Sequence, residues 1–137
     1  MKSKLPKKLT HSKAQKMADD AFSLLVKSRA DYKCELHQRI KELGIKDFPV
    51  KTCTPQKCCF HIIPKSKGSA LRYDPLNAIC ACVGANFWEK NNRGEWYLWI
   101  PRLYPERAEY LLKRRNEIVH TKTGDLVFLA KSFKVKK

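Results

Sequence analysis

The stretch that decides the fold runs from residue 58 to residue 92 and reads CCFHIIPKSKGSALRYDPLNAICACVGANFWEKNN. Its first segment, Cys58–Ile63, is apolar and partly β-branched, which predicts a short strand that ends at Pro64. A basic loop and a turn then lead into a second predicted strand, Leu76–Cys82. The segment Asn86–Asn92 predicts a short helix. We therefore expect strand, loop, strand and helix in that order.

Helices are predicted on both sides of this stretch. Apolar residues recur at spacings of three and four over residues 12–30, with Ser12 as the predicted N-cap. A shorter helix is predicted at Gln38–Leu43 and should end at Gly44. Residues 95–115 are rich in Trp, Tyr and Leu and predict a helix interrupted around Pro101 and Pro105. The tail after His120 fits either helical spacing or strand alternation.

The expected fold is therefore α+β, a small and mainly helical single domain with an embedded ββα unit. We place this unit at about residues 58–92 of a domain covering 12–137. Its flanking helices are expected at 12–30 and about 95–118. Residues 1–11 are lysine-rich and predict a basic, flexible N-terminal arm. No internal repeat divides the chain.

The charge balance points to a polyanionic partner. The 137 residues include 29 lysines and arginines against 13 acidic residues, for a net charge of +16. Such a charge concentrates nucleic acid near the protein, although a ribosomal-type structural role or an anionic membrane surface would fit as well. No run of about 18 apolar residues predicts a membrane span, and the N-terminus lacks a signal-peptide core. A cytoplasmic location is expected.

One imidazole and two carboxamides follow each other at defined spacings in the deciding stretch. His61 lies within the short apolar run, Asn77 comes sixteen residues later, and Asn86 nine after that. A histidine on a strand can act as general base on water, because its ordinary pKa lies near neutral pH. An asparagine can orient the imidazole, and a second oxygen-bearing side chain can hold a divalent cation beside the phosphate. This combination suits phosphodiester hydrolysis.

The order His61, Asn77, Asn86 resembles the HNH, or ββα-metal, endonuclease family, with asparagine in place of the last histidine. HIIPKSKG is similar to the family's common opening, and LRYDPLNAICACVGAN is similar to a segment of the phage NinG/Rap recombination proteins. The resemblance covers about residues 31–112, with an insertion at 38–56. It implies that His61 is the general base, Asn77 its orienting partner and Asn86 a ligand of catalytic Mg²⁺ or Mn²⁺.

The resemblance also implies a function. It predicts a metal-dependent DNA endonuclease acting in phage recombination or replication, with branched DNA as the substrate class. Resolving a four-way junction needs two active sites, so a homodimer is expected with that substrate. One departure from the family pattern concerns the cation: many members carry a carboxylate before the histidine, where this chain has Phe60. Asp74, Glu89 and Asn92 are the substitutes we consider.

The six cysteines predict a metal site or buried thiols in a reducing compartment. On the family pattern, Cys34, His37 and Cys82 would hold a structural Zn²⁺. The fourth ligand is expected three residues after Cys82, but that position is Ala85. Three other cysteines could supply it, Cys80, Cys58 or Cys53. Alternatively, the zinc has been lost and the thiols simply pack.

Basic side chains flank the predicted general base. Lys65, Lys67 and Arg72 are expected to clamp phosphates, or else to form a solvated loop. The tryptophans at residues 88, 96 and 99 favour core packing over stacking on bases. Two other functions remain open: a non-catalytic zinc-knuckle protein that binds nucleic acid, and a ribosome-associated RNA binder.

Overall fold

The structure, a computed structural model, describes residues 9–133. Within that range the chain forms six helices and one two-stranded antiparallel sheet, which confirms the predicted mixture of helix and strand. In chain order the elements are α1 (His11–Arg29), α2 (Glu35–Glu42), β1 (Lys57–His61), β2 (Ala78–Cys82), α3 (Val83–Asn91), α4 (Arg93–Leu103), α5 (Pro105–Arg114) and α6 (Thr123–Ser132).

Helix α1 begins slightly earlier than predicted. Thr10, and not Ser12, is its N-cap, because the Thr10 hydroxyl accepts a hydrogen bond from the Lys13 N–H at 3.2 Å. The predicted N-terminal arm lies largely outside the described residues, and His11 already belongs to the helix. One face of α1 is buried, at positions four residues apart: Ala14, Ala18, Phe22 and Val26.

Strands β1 and β2 are shorter than predicted. Lys57 pairs with Cys82 and His61 with Ala78, so the ladder has five residue pairs. Residues 75–77 form a 3₁₀ turn that leads into β2, so residues 76 and 77 are not in the strand as predicted. The long connection between the strands, residues 62–77, carries the basic loop.

The two faces of the sheet have different neighbours, because successive side chains along a strand point to opposite sides. Phe60 and Ile79 lie in the main hydrophobic core. Cys59 and Ala78 face the other way and pack with residues of α1. His61 is on this second face, with its ring centroid 5.8 Å from that of Phe22. The sheet is therefore covered by α1 on the side that carries the predicted general base.

Helix α3 follows β2 without a loop. It starts at Val83, three residues before the predicted start, and Cys82 is its N-cap. The β-branched Val83 and Gly84 are poor helix formers, so their helical conformation depends on tertiary contacts and was missed. The order along the chain is β1, β2, α3, which places the end of the sheet beside the first turn of a helix.

The remaining helices complete the core. The predicted helix at about 95–118 is two helices, because Pro105 starts α5 after a break at Tyr104. Pro101 lies inside α4. Trp96 and Trp99 are core residues, as the sequence favoured, and Trp88 packs against the same core while partly exposed. Helix α2 starts at Glu35 and not at residue 38. It is followed by Gly44 in the left-handed conformation, φ +67°, which confirms the predicted end.

The tail after His120 contains helix α6, so helical spacing was the right reading of its apolar residues. Its buried Leu126 packs against Ala14 and Ala18 of α1. In the part of the chain that the structure describes, no helix has both the length and the apolarity needed to cross a bilayer.

Candidate functional site

Four potential metal ligands meet beside the first turns of α2 and α3. The ligand atoms of Cys34, His37, Cys53 and Cys82 all lie within 4.8 Å of one another. The His37 Nδ1 atom is 3.3 Å from Cys34 Sγ and 3.6 Å from Cys82 Sγ. A tetrahedral zinc with sulfur and imidazole ligands requires S···N separations of about 3.5 Å. The group could therefore hold a metal ion such as zinc.

Cys34 and Cys82 occupy equivalent positions, since each is the N-cap of a helix. The Cys82 N–H donates to Cys34 Sγ at 3.3 Å, which joins the two caps. Burial raises the pKa of the Cys34 thiol to about 12. Burial also acts to raise the pKa of Cys82, but hydrogen bonds from Ala85 and Thr54 outweigh it and lower that pKa. Helix N-termini favour thiolates, the form that binds a metal.

His37 is oriented toward these thiols by its other ring nitrogen. The Val50 carbonyl can only accept a hydrogen bond, so at 2.9 Å His37 Nε2 carries the proton and donates it in this hydrogen bond. The lone pair is then on Nδ1, which is the atom beside the two sulfurs. A backbone carbonyl on the second nitrogen is the usual way in which proteins hold a metal-binding histidine.

Cys53 is the fourth member, and among the three cysteines considered for the fourth position it is the one that lies beside Cys34, His37 and Cys82. It lies in the exposed connection between α2 and β1, whereas Cys58 and Cys80 are outside the group. The next residue, Thr54, accepts a hydrogen bond from the Gly84 N–H at 3.0 Å. A Cβ at Gly84 would lie only 3.0 Å from the Thr54 methyl group, so glycine permits this close docking. Cys53 could therefore serve as the fourth metal ligand that Ala85 cannot provide.

A second site surrounds His61. A cavity of about 410 Å³ opens between β1, the basic loop and α3. Its wall includes His61 and Asn86, two of the three residues predicted to be catalytic. Glu89, considered above as a substitute cation ligand, also lines the cavity, and so do Lys90 of α3 and Arg93 of α4, which the sequence did not single out. Lys90 follows Asn86 by four residues and Arg93 follows Glu89 by four, so helical periodicity was the signal that could have found them.

The imidazole of His61 is held in one orientation. Its Nε2 lies 2.9 Å from the Arg72 carbonyl oxygen, which requires the proton on Nε2 and leaves the lone pair on Nδ1. Burial lowers the pKa of His61 to about 4, and the positive charges of Lys65 and Arg72 act in the same direction. At neutral pH the ring is therefore uncharged and has one basic nitrogen available.

No side-chain hydrogen bond joins Asn77 to the imidazole among the described residues. Its fully buried amide accepts from the Ile63 N–H at 2.7 Å and donates to the carbonyls of Ile63 and Leu71 at 3.0 and 3.2 Å. The group that hydrogen-bonds to the His61 ring is the Arg72 carbonyl, so the predicted orienting role of Asn77 would be indirect. Asn77 instead holds both ends of the loop between Ile63 and Leu71, the segment that leads directly to Arg72.

Among the possible substitutes for the missing carboxylate, only Glu89 lines the cavity. It is 3% exposed, and burial raises its pKa although Arg93 Nε donates to it at 3.1 Å. Asp74 is engaged elsewhere with Arg114 and Tyr110. Phe60 lies on the core face of β1, opposite to His61, so no side chain at that position reaches the cavity.

The predicted phosphate-binding cations have separate environments. Lys65 is exposed and lines the cavity, whereas Lys67 is exposed but is not part of its wall. Arg72 lines the cavity but is bound to Asp19 of α1, with Nε–Oδ1 3.0 Å and Nη2–Oδ2 2.7 Å. No sequence pattern indicated that Asp19 pairs with Arg72, because 53 residues separate the two.

Comparisons with protein-family models, curated proteins and solved structures found no match to this chain.

Proposed function

We propose that the protein is a metal-dependent DNA endonuclease of the HNH type, with the His61 cavity as its active site. The observation that carries the proposal is the arrangement of His61, Asn86 and Glu89 around one cavity, built by two antiparallel strands followed directly by a helix. Four cations share that wall, and the chain carries a net charge of +16, which suits a nucleic-acid substrate.

In this proposal His61 Nδ1 takes a proton from the attacking water, while the Arg72 carbonyl keeps the ring in the required tautomer. Lys65 and Lys90 lie where they can bind oxygens of the phosphate. The oxygen-bearing side chains of Asn86 and Glu89 suit a hard cation. They would hold Mg²⁺ or Mn²⁺, which stabilises charge on the phosphate when bound.

The Cys3His group has a separate, structural role in the proposal. Four protein ligands complete the coordination of a zinc ion and leave no position for substrate. A zinc here would connect α2, the loop carrying Cys53 and the junction of β2 with α3. That junction sets where Asn86 and Glu89 lie relative to His61.

The resemblance to the phage NinG/Rap proteins suggests the biological setting. We propose a role in phage DNA recombination or replication in the host cytoplasm, with branched DNA as substrate. A four-way junction presents two strands for cleavage, so a homodimer would provide the two sites required.

A non-catalytic nucleic-acid-binding protein is the second candidate. The specific observation in its favour is Phe60, which is buried in the core where many family members carry a carboxylate. A His61 pKa of about 4 also makes a weaker base than a free imidazole. Binding of DNA without cleavage is the expected behaviour in that case.

The decisive experiment is cleavage of DNA in the presence of magnesium or manganese. We expect the wild-type protein to nick or cut, and His61→Ala to lower the rate by about 100-fold or more while DNA binding is retained. Asn86→Ala should also abolish cleavage. Asn91→Ala is the matched control, because this exposed asparagine of the same helix bonds only to the Phe87 carbonyl.

Substrates for this assay are plasmid, single-stranded and branched DNA. If the wild-type protein and His61→Ala are equally inert on all three, the nuclease proposal is wrong. Retained DNA binding by both would then favour the second candidate.

A further inference from the structure

A second cavity adjoins the one that contains His61. It has a volume of about 440 Å³, similar to the first, and lies in the range of roughly 300–1,000 Å³ that is typical of ligand sites. Lys65 and Arg72 belong to the walls of both cavities. A molecule that filled both would therefore pass over these two cations.

The wall of the second cavity is rich in hydrogen-bond donors. His11 and Gln15 of α1 lie on one side, and His120 and Thr121 on the other. No carboxylate side chain is among the described residues that line this cavity. Leu126 and Val119 add an apolar part to the wall. Donors and cations suit a phosphate, and an apolar wall beside them suits a sugar or a base.

Contacts within the protein hold this wall in place. The Ser69 hydroxyl accepts a hydrogen bond from the Val119 N–H at 2.9 Å, which fixes the segment before α6 against the loop. His11 Nδ1 lies 3.1 Å from the Thr123 hydroxyl, which links the starts of α1 and α6. The Asp19 carboxylate neutralises Arg72, so Lys65 is the shared cation available to a ligand.

We propose that the second cavity is a subsite for the DNA strand whose scissile phosphate lies beside His61. The neighbouring nucleotide would place its phosphate near Lys65 and the imidazole of His120, and its sugar or base against Leu126. This inference rests on the proposed nuclease function for its choice of ligand. It adds α1 and α6, which lie outside the ββα unit, to the substrate-binding surface.

The test introduces a negative charge into the second cavity. Gln15→Glu is nearly isosteric and places a carboxylate in the wall, where it should repel a phosphate. Gln38→Glu is the matched control, because it makes the same charge change on α2, away from both cavities. Binding of a labelled single-stranded oligodeoxynucleotide is measured by fluorescence anisotropy without magnesium, and circular dichroism monitors folding.

We expect Gln15→Glu to weaken DNA binding by about tenfold and Gln38→Glu by less than about twofold. Equal effects of the two variants would show that only net charge matters and would overturn the proposal. If Gln15→Glu does not fold, His120→Ala replaces it, since His120 is exposed and precedes α6. Unchanged binding by that variant would likewise overturn the subsite.

Because binding is measured without the cation, the two proposals can fail separately. A protein that cuts DNA but binds it equally well with Gln15→Glu and Gln38→Glu has the active site without this subsite. If the wild-type protein cuts no DNA, but DNA binding is weakened by Gln15→Glu and not by Gln38→Glu, the second cavity binds DNA and the nuclease proposal is wrong.

Discussion

His61 lies between the ring of Phe22 and the open cavity, and this burial lowers its pKa from 6.5 to about 4. The folded protein therefore binds fewer protons at this residue than the unfolded chain between those two pH values. Its contribution to stability is complete above pH 6.5 and is lost as the pH falls toward 4. The slope reaches about 1.4 kcal/mol per pH unit within that window.

We predict that the imidazole signals of His61 in NMR spectra titrate near pH 4, in magnesium-free buffer. The His61→Gln variant should lose less stability on acidification from pH 6.5 than the wild-type protein, as measured by urea unfolding. Parallel pH profiles for the two proteins, or a midpoint near 6.5, would contradict the burial argument.

Asp19 is the residue through which α1 holds Arg72. It forms two hydrogen bonds with that guanidinium and accepts a third, from the Tyr73 hydroxyl, at 2.8 Å. The ion pair is about three-quarters buried, with side-chain exposures of 23% and 24%. We predict that Asp19→Asn lowers the free energy of unfolding by about 1–3 kcal/mol, because a buried cation loses its partner.

The neighbouring Asp20 provides the control for this prediction. It is exposed and pairs only with Lys16, another exposed side chain on the same helix, so Asp20→Asn should change stability little. Urea unfolding of both variants measures the difference. If Asp19→Asn and Asp20→Asn lower the free energy of unfolding equally, the Asp19–Arg72 contact does not stabilise the fold.

The Arg72 carbonyl accepts a hydrogen bond from His61, so Asp19→Asn should also slow DNA cleavage.

At the scale of elements, the Cys3His group is built by three segments that are far apart along the chain. Helix α2 carries two ligands near its start, the connection to β1 carries Cys53, and the end of β2 carries Cys82. Each segment alone is short, and the sheet has only two strands. A small sheet of this kind is marginal in water without further support. A metal ion that joins the three segments would supply it.

We predict that the purified protein contains one zinc per chain and that Cys53→Ser binds zinc more than about 100-fold more weakly. Losing even an outer-shell partner typically costs 10–100-fold, and Cys53 would be a direct ligand. Elemental analysis and competition with a chelator measure these quantities. Cys58→Ser is the control, since Cys58 lies outside the group and should leave the zinc content at one. Equal zinc loss in both variants would refute the four-residue site.

At the scale of the whole molecule, the net charge of +16 would favour the encounter with DNA that the proposed function requires. The two adjoining cavities share Lys65, and the first adds Lys90 and Arg93, so a bound strand would meet several cations in a row. Each neutralised phosphate of a single strand contributes a slope of about −0.7 to the logarithmic dependence of affinity on salt.

For about four phosphate contacts, we predict that affinity for single-stranded DNA falls about 50-fold between about 50 and about 200 mM salt. Fluorescence anisotropy at several salt concentrations measures the slope. An affinity that changes less than about threefold would show that the cations lining the two cavities do not contact phosphates. This prediction applies to both candidate functions, because binding precedes any cleavage.

The sequence by itself determined most of the helices and strands. It also predicted part of the Cys3His group and part of the wall of the His61 cavity. Hydrophobic periodicity predicted α1 and the core tryptophans, and the apolar, partly β-branched run before Pro64 predicted the first strand. These features are local, since the residues that determine them lie within one or two helical turns of each other. Cys34, His37 and Cys82 were predicted as partners, and the structure brings them together. The catalytic roles of His61 and Asn86 stay predictions.

Only the tertiary structure decided which residues meet across long separations. Cys53 joins the Cys3His group because Thr54 docks on Gly84, and Asp19 reaches Arg72 because α1 covers one face of the sheet. Burial beside Phe22 sets the pKa of His61, and the pleat directs Phe60 away from the cavity. None of these contacts has a local pattern, because packing and desolvation arise when separate segments of the chain come together.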